Sequence, residues 1–139
     1  MDDSQVHSAC RREIEELHDF FVSWYSGECD TGDFERVEAV IAPGFAMVTP
    51  DGNQVERDAV LGMVRDGRDQ YEHGGFEIDV RNVEVVANAD DYAVARYEEW
   101  QTSSDEFHGR ISTVLFRSDP EAPNGLVWLT LHETWLDGE

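Results

Sequence analysis

Asn124-Gly125-Leu126-Val127-Trp128-Leu129-Thr130-Leu131-His132-Glu133-Thr134-Trp135-Leu136 reads as a long strand entered from a turn. Side chains in a strand alternate between its faces. With regular alternation, Trp128, Thr130, His132 and Thr134 share one face, and Val127, Leu129, Leu131, Glu133 and Trp135 the other. Each face carries large apolar groups and one titratable group, so both are expected to be covered. One face is expected to line a cavity within the subunit and the other to meet a second subunit. Adjacent residues point apart, so His132 and Glu133 form no dyad: His132 is assigned to the cavity and Glu133 to the outer face.

The strands before it have the same character. Phe76, Ile78 and Val80 alternate with Glu77, Asp79 and Arg81, and then Val83 and Val85 continue one residue out of step. A bulge near Asn82 accounts for that slip. Asp90-Asp91 turns the chain into Tyr92–Gln101, and Ser103-Ser104-Asp105 into Phe107–Arg117. A longer turn with Pro120, Pro123 and Gly125 leads to the last strand, which completes an antiparallel meander.

The first half is mainly helical. Val6, Cys10, Ile14, Leu17, Phe21 and Trp24 recur at helical spacing, and Phe20 and Tyr25 widen that apolar side. They predict a long amphipathic helix ending near Gly27, with Cys10 in the core. A short helix is expected after Thr31-Gly32-Asp33, with Phe34, Val37, Val40 and Ile41 inward and Pro43-Gly44 as its stop. Phe45 to Thr49 reads as a strand into the turn Pro50-Asp51-Gly52. A third helix follows from about Arg57 to Arg65, with Val60, Met63 and Val64 inward.

Composition bounds the class. The chain of 139 residues suits one domain, 1–139, with a single core. No apolar run approaches the roughly 20 residues of a membrane span. Met1-Asp2-Asp3-Ser4 is acidic where a secretory signal would be basic and then apolar. A soluble, cytoplasmic protein is therefore expected, with Cys10 and Cys29 as free thiols. Thirty-one Asp and Glu face ten basic residues, all of them Arg, for a net charge of −21. That charge argues against nucleic acid and membrane surfaces as partners. Dispersed acids without Lys suit a salt-rich cytoplasm, where screening shortens to about 3 Å at molar salt.

Several short stretches together resemble a known group. They are Phe20-Phe21, Trp24-Tyr25, Thr31-Gly32-Asp33-Phe34, Ala42-Pro43-Gly44-Phe45, Pro50-Asp51-Gly52, Arg57-Asp58, Tyr97-Glu98-Glu99-Trp100 and Trp128-x-x-x-His132-Glu133-x-Trp135. In order and spacing the chain is similar to the nuclear transport factor 2-like superfamily, and within it to the SnoaL-like group of small proteins. The resemblance implies an α+β cone, a curved and mainly antiparallel sheet wrapped on three helices. It also implies a homodimer through the outer sheet face. Ketosteroid isomerases of this superfamily use a helix-one Tyr, a general-base Asp near the first strand and a protonated Asp further on. Aligned through Gly32-Asp33, the Tyr falls on Tyr25 but the base falls on Thr49, which argues against that chemistry.

The candidate site combines residues from both halves. His132 on a cavity-facing strand can act as acid, base or donor near neutral pH. Tyr97 and Glu99 share one face of their strand, and Glu98 and Trp100 the other. Arg110 lies within cross-strand reach of one of the two Glu residues. The expected site is Tyr97, Glu99 and His132 with Arg110 in support, walled by Phe21, Trp24, Tyr25, Phe45, Met47 and Trp128. His18, His73 and His108 lack the mutual spacing of a metal centre, and no Gly-rich phosphate loop or nucleophile elbow occurs. The expectation is a pocket for a compact, mainly apolar ligand of unknown identity with one polar end. It works without metal or cofactor, as an isomerase, dehydratase or hydrolase if it is an enzyme. The alternative is a non-catalytic dimeric binding or assembly module.

Overall fold

The computed structural model describes residues 3–104 and 106–136. Helix α1 spans Asp3–Tyr25 and buries Val6, Cys10, Ile14, Leu17 and Trp24 on one side. It ends at Gly27, whose φ of +68° lets the Glu28 amide bond back to the Ser23 carbonyl at 2.8 Å. That closure needs a left-handed residue, which glycine adopts without steric cost. A 3-10 turn, Thr31–Phe34, leads into α2, Glu35–Val40. Strand β1 spans Ile41–Val48, β2 Gln54–Glu56 and α3 Arg57–Asp66. The long strands β3 Phe76–Asn88, β4 Tyr92–Ser103, β5 Glu106–Ser118 and β6 Leu126–Leu136 follow.

The six strands form one sheet in the order β2-β1-β6-β5-β4-β3. All neighbours are antiparallel except β1 and β6. This is the curved, mainly antiparallel sheet on three helices that the sequence predicts. Among the described residues no helix is long and apolar enough to cross a membrane.

Three local readings change. The second helix stops at Val40, so Ile41 opens β1 rather than closing α2. Pro43-Gly44 then falls inside β1, where the register with β6 shifts between Ile41 and Ala46. Proline has no N–H to give a ladder and is tolerated at such a bulge. In α3, Val60 and Val64 are buried as expected, Leu61 is buried as well, and Met63 is 54% exposed. The short strand β2 was not expected at all. The slip near Asn82 is present: Asn82 has φ +56°, and the β3–β4 register shifts between Arg81 and Glu84. Asp105, in the expected Ser103-Ser104-Asp105 turn, lies outside the described residues.

One buried carboxylate ties the helices to the sheet. Glu13, fully buried, accepts from Arg36 at 2.8 and 3.3 Å, Asn124 at 3.0 Å and the Trp128 indole at 2.9 Å. A buried charge costs several kcal/mol unless such partners replace its water. Here bidentate arginine and two further donors do so.

Candidate active site

Between α1, α3 and the concave face of the sheet lies a cavity of about 200 Å³. Phe21, Tyr25, Phe45, Met47, Trp128 and Leu131 give it an apolar wall. Its polar end carries His18, Tyr97, Glu99, Gln101, Arg110 and Glu133. Larger grooves lie elsewhere, one of about 470 Å³ beside Val6 and Leu126, but no buried titratable side chain lines that one. Chemistry therefore concentrates in the smaller, inner space.

The polar end is built from two ion pairs on adjacent elements. His18 sits on α1 among Ile14, Leu17 and Phe21, so the helix aims its imidazole at the sheet. Its Nδ1 bonds the Ile14 carbonyl at 2.7 Å and its Nε2 meets Glu99 Oε1 at 3.0 Å. Gln101 donates to the second Glu99 oxygen at 2.6 Å. Arg110 lies directly opposite Glu99 in the β4–β5 ladder. Its Nη1 donates instead to Glu133 Oε1 at 3.1 Å, and Ser112 donates to Glu133 Oε2 at 3.0 Å. Tyr97 packs edge-on against His18, with ring centroids 5.5 Å apart. At this end of the cavity two donors are buried without a partner among the described residues: the Tyr97 hydroxyl and the Arg110 Nε. Ser112 neighbours that hydroxyl, but its own O–H is given to Glu133.

These contacts separate the two carboxylates. Burial raises the Glu99 pKa, but His18, by charge and hydrogen bond, and Arg110 outweigh it and hold the carboxyl at about 2. Glu133 ends above the usual range, because burial and the neighbouring Glu99 charge outweigh Arg110 and Ser112. Burial lowers His18, yet the Glu99 charge and hydrogen bond hold it above its ordinary value. Tyr97 is pushed well up by burial and by Glu99, and Tyr25 to about 12, chiefly by burial. Glu99 is thus held as the anion, and its charge favours the protonated form of the His18 imidazole. Glu133 is the carboxyl closest to exchanging a proton. Two carboxyls driven apart by their surroundings are the usual basis for dividing acid and base roles.

The structure brings together most of the expected site, with two corrections. Tyr97, Glu99, Arg110, Phe21, Tyr25, Phe45, Met47 and Trp128 all line the cavity. His132 does not: it is exposed on the outer face, and Glu133, only 5% exposed, takes the inward position. The reason is a bulge. Leu115 pairs with Thr130 and Phe116 with Trp128, so Leu129 is an extra residue in β6. One inserted residue moves every later side chain to the opposite face. Trp128 stays inward, and Leu131 and Glu133 rejoin it. Trp24 also leaves the wall. It packs against Phe34 at 5.1 Å and donates to the Val64 carbonyl at 2.6 Å, outside the cavity's lining.

Sequence reasoning missed His18 and Glu133. A titratable residue on an inward helical stripe was the available sign for His18. For Glu133 it was the unbroken apolar run Leu126-Val127-Trp128, where strict alternation already fails.

Residues 10–137 match the model of the sucrose-6-phosphate phosphohydrolase C-terminal family. The chain belongs to this family. Two sucrose-phosphatases of Nicotiana tabacum are each 26% identical to it over 129 residues, 91% of this chain. The chain spans only 30% of the length of either one. Among solved structures, this family member is similar to an NTF2-like protein of unknown function from Pseudomonas aeruginosa. The TM-score is 0.84 at 29% identity, covering 92% of this chain and 98% of the other. The hub of a CaMKII from S. rosetta has the same fold, with TM-score 0.71 and 15% identity over 93% and 95% of the two chains. A putative ketosteroid isomerase from Parabacteroides distasonis shares it too, with TM-score 0.60 and 15% identity over 89% and 86%.

Proposed function

We propose that this domain is a small-molecule pocket protein, holding a compact ligand by an apolar wall and a charged-pair polar end. The observation that carries this reading is the meeting of His18–Glu99 and Arg110–Glu133 at one end of an otherwise apolar cavity. At about 200 Å³ the cavity is smaller than the roughly 300–1,000 Å³ of pockets that enclose drug-sized ligands, which favours a compact guest. If the ligand is turned over, isomerisation, dehydration or hydrolysis suits the site. Glu133 would exchange the proton, with Tyr97 and Glu99 orienting the substrate. The relatives' name makes sugars and sugar phosphates worth including among compounds tried.

The test is a thermal-shift screen of small carbonyl, aromatic, terpenoid and sugar compounds against wild type, Glu133→Gln and His132→Ala. A ligand at a hundred times its dissociation constant adds about 2.7 kcal/mol of stability. Hits that vanish in Glu133→Gln and survive in His132→Ala support the pocket; an absence of hits across the panel refutes it.

A second reading, a non-catalytic homodimeric module, has its own support on the outer sheet face. There Phe107, 51% exposed, stacks on Trp100 at 5.3 Å. The CaMKII hub on the same fold makes self-assembly a natural comparison. Sedimentation of wild type against Phe107→Asp tests it, since a monomeric wild type would end the reading. Membership of the SnoaL-like group and a salt-rich cytoplasm rest on the residues and the charge alone, and we propose both on that footing.

A further inference from the structure

Resting on the pocket reading above, we propose that the ligand is an uncharged molecule whose carbonyl-type oxygen is received by the Tyr97 hydroxyl and Arg110 Nε–H. The argument begins with what the polar end leaves unused. Both atoms are buried, both residues line the cavity, and neither atom has a partner among the described residues. Buried polar groups are nearly always hydrogen-bonded, so a bare pair at one end of a cavity marks where a guest's complementary atom belongs.

Both atoms act as donors here. Arg Nε–H can only donate, and the Tyr97 hydroxyl is left to donate, because the neighbouring Ser112 gives its one proton to Glu133 and offers Tyr97 only lone pairs. A guest must therefore bring an acceptor. The acceptors already present are engaged: Glu99 by His18 and Gln101, and Glu133 by Arg110 and Ser112.

Charge narrows the class further. His18 is matched with Glu99 and Arg110 with Glu133, and all four are largely shielded from water. An anionic guest would lie beside two buried carboxylates, and a cationic guest beside an imidazolium and a guanidinium. Either adds an unmatched charge where water cannot screen it. A neutral ketone, aldehyde, ester or amide adds none. The apolar wall takes the rest of the molecule.

The test is a matched set on one ring: cyclohexanone, cyclohexane, cyclohexanecarboxylate and cyclohexylamine, titrated calorimetrically into wild type, Tyr97→Phe and Arg110→Lys. Tyr97→Phe keeps the ring against His18 and deletes an unpaired hydroxyl, so its fold and melting temperature are expected to hold. In wild type, cyclohexanone is expected to bind about tenfold more tightly than cyclohexane. The carboxylate and the amine are expected to bind at least tenfold more weakly than the ketone. The ketone's advantage is expected to shrink several-fold in each variant. A charged member binding as well as the ketone would overturn the inference, as would an undiminished advantage in Tyr97→Phe. Silence from all four, alongside other hits that Glu133→Gln abolishes, sinks this inference and leaves the pocket standing. Silence in both experiments removes both.

Discussion

His18 Nε2 lies 3.0 Å from Glu99 Oε1, joining α1 to β4 across 81 positions of sequence. Both side chains are buried, so neither partner has water to fall back on. Removing one partner of a buried pair typically costs about 3–5 kcal/mol, because the survivor keeps its charge without a counter-ion. His18→Ala is therefore expected to lower unfolding free energy by about 3 kcal/mol, measured by urea denaturation at pH 6. A loss under about 1 kcal/mol would show that the pair is not closed in solution.

The same pair sets a pH profile. Glu99 titrates at about 2, below its ordinary 4.5, so its contribution is present above pH 4.5 and is lost as pH falls towards 2. His18 is raised above 6.5, so its contribution is complete below 6.5 and is lost as pH rises through the folded-state value. Glu133, also raised, has the same sign as His18, but its contribution is complete only below 4.5 and is lost as pH rises through its folded-state value. Urea midpoints taken in molar KCl, which screens the surface acids, are expected to peak near pH 4.5, decline above it through Glu133, and decline further above 6.5 through His18. His18→Asn is expected to flatten the alkaline side, and an unchanged alkaline slope would assign it elsewhere.

Glu13 offers a structural counterpart with no role in the cavity. Its four hydrogen bonds come from Arg36, Asn124 and Trp128. Glu13→Ala is expected to cost about 3–5 kcal/mol, by stranding a partly buried guanidinium and a buried indole N–H. Chemical denaturation followed by tryptophan fluorescence measures it.

Gly109 is required by a neighbour rather than by its own backbone. A Cβ there would sit 2.5 Å from the Trp100 ring, which lies flat over it beside Phe107. Gly109→Ala is expected to displace Trp100 and destabilise the fold by about 1–3 kcal/mol, the usual range for overpacking. A near-ultraviolet circular dichroism spectrum identical to wild type would contradict this.

Salt response follows from the net charge of −21. Screening shortens from about 8 Å at physiological strength to about 3 Å at 1 M, so self-repulsion among dispersed acids fades. Melting temperature is expected to climb from tens of millimolar to molar KCl. A flat response would remove the argument for a salt-rich cytoplasm.

The amino-acid sequence alone determined the element order apart from β2, the cone of sheet on helices and most of the cavity wall. Those features follow from period: apolar residues at helical or alternate spacing commit a face to the core wherever they occur. The same alternation placed Tyr97 and Glu99 together, since β4 runs its length against β5 with no slip in register. Only the tertiary structure decided the polar end. Leu129 ends the apolar run from Leu126, which signals that alternation fails but not which residue is inserted. Its insertion turned His132 outward and Glu133 inward. His18 needed the docking of α1 on the sheet before Glu99 could reach it. Spacing along a chain fixes which residues share a face, whereas strand register and helix docking fix which faces meet.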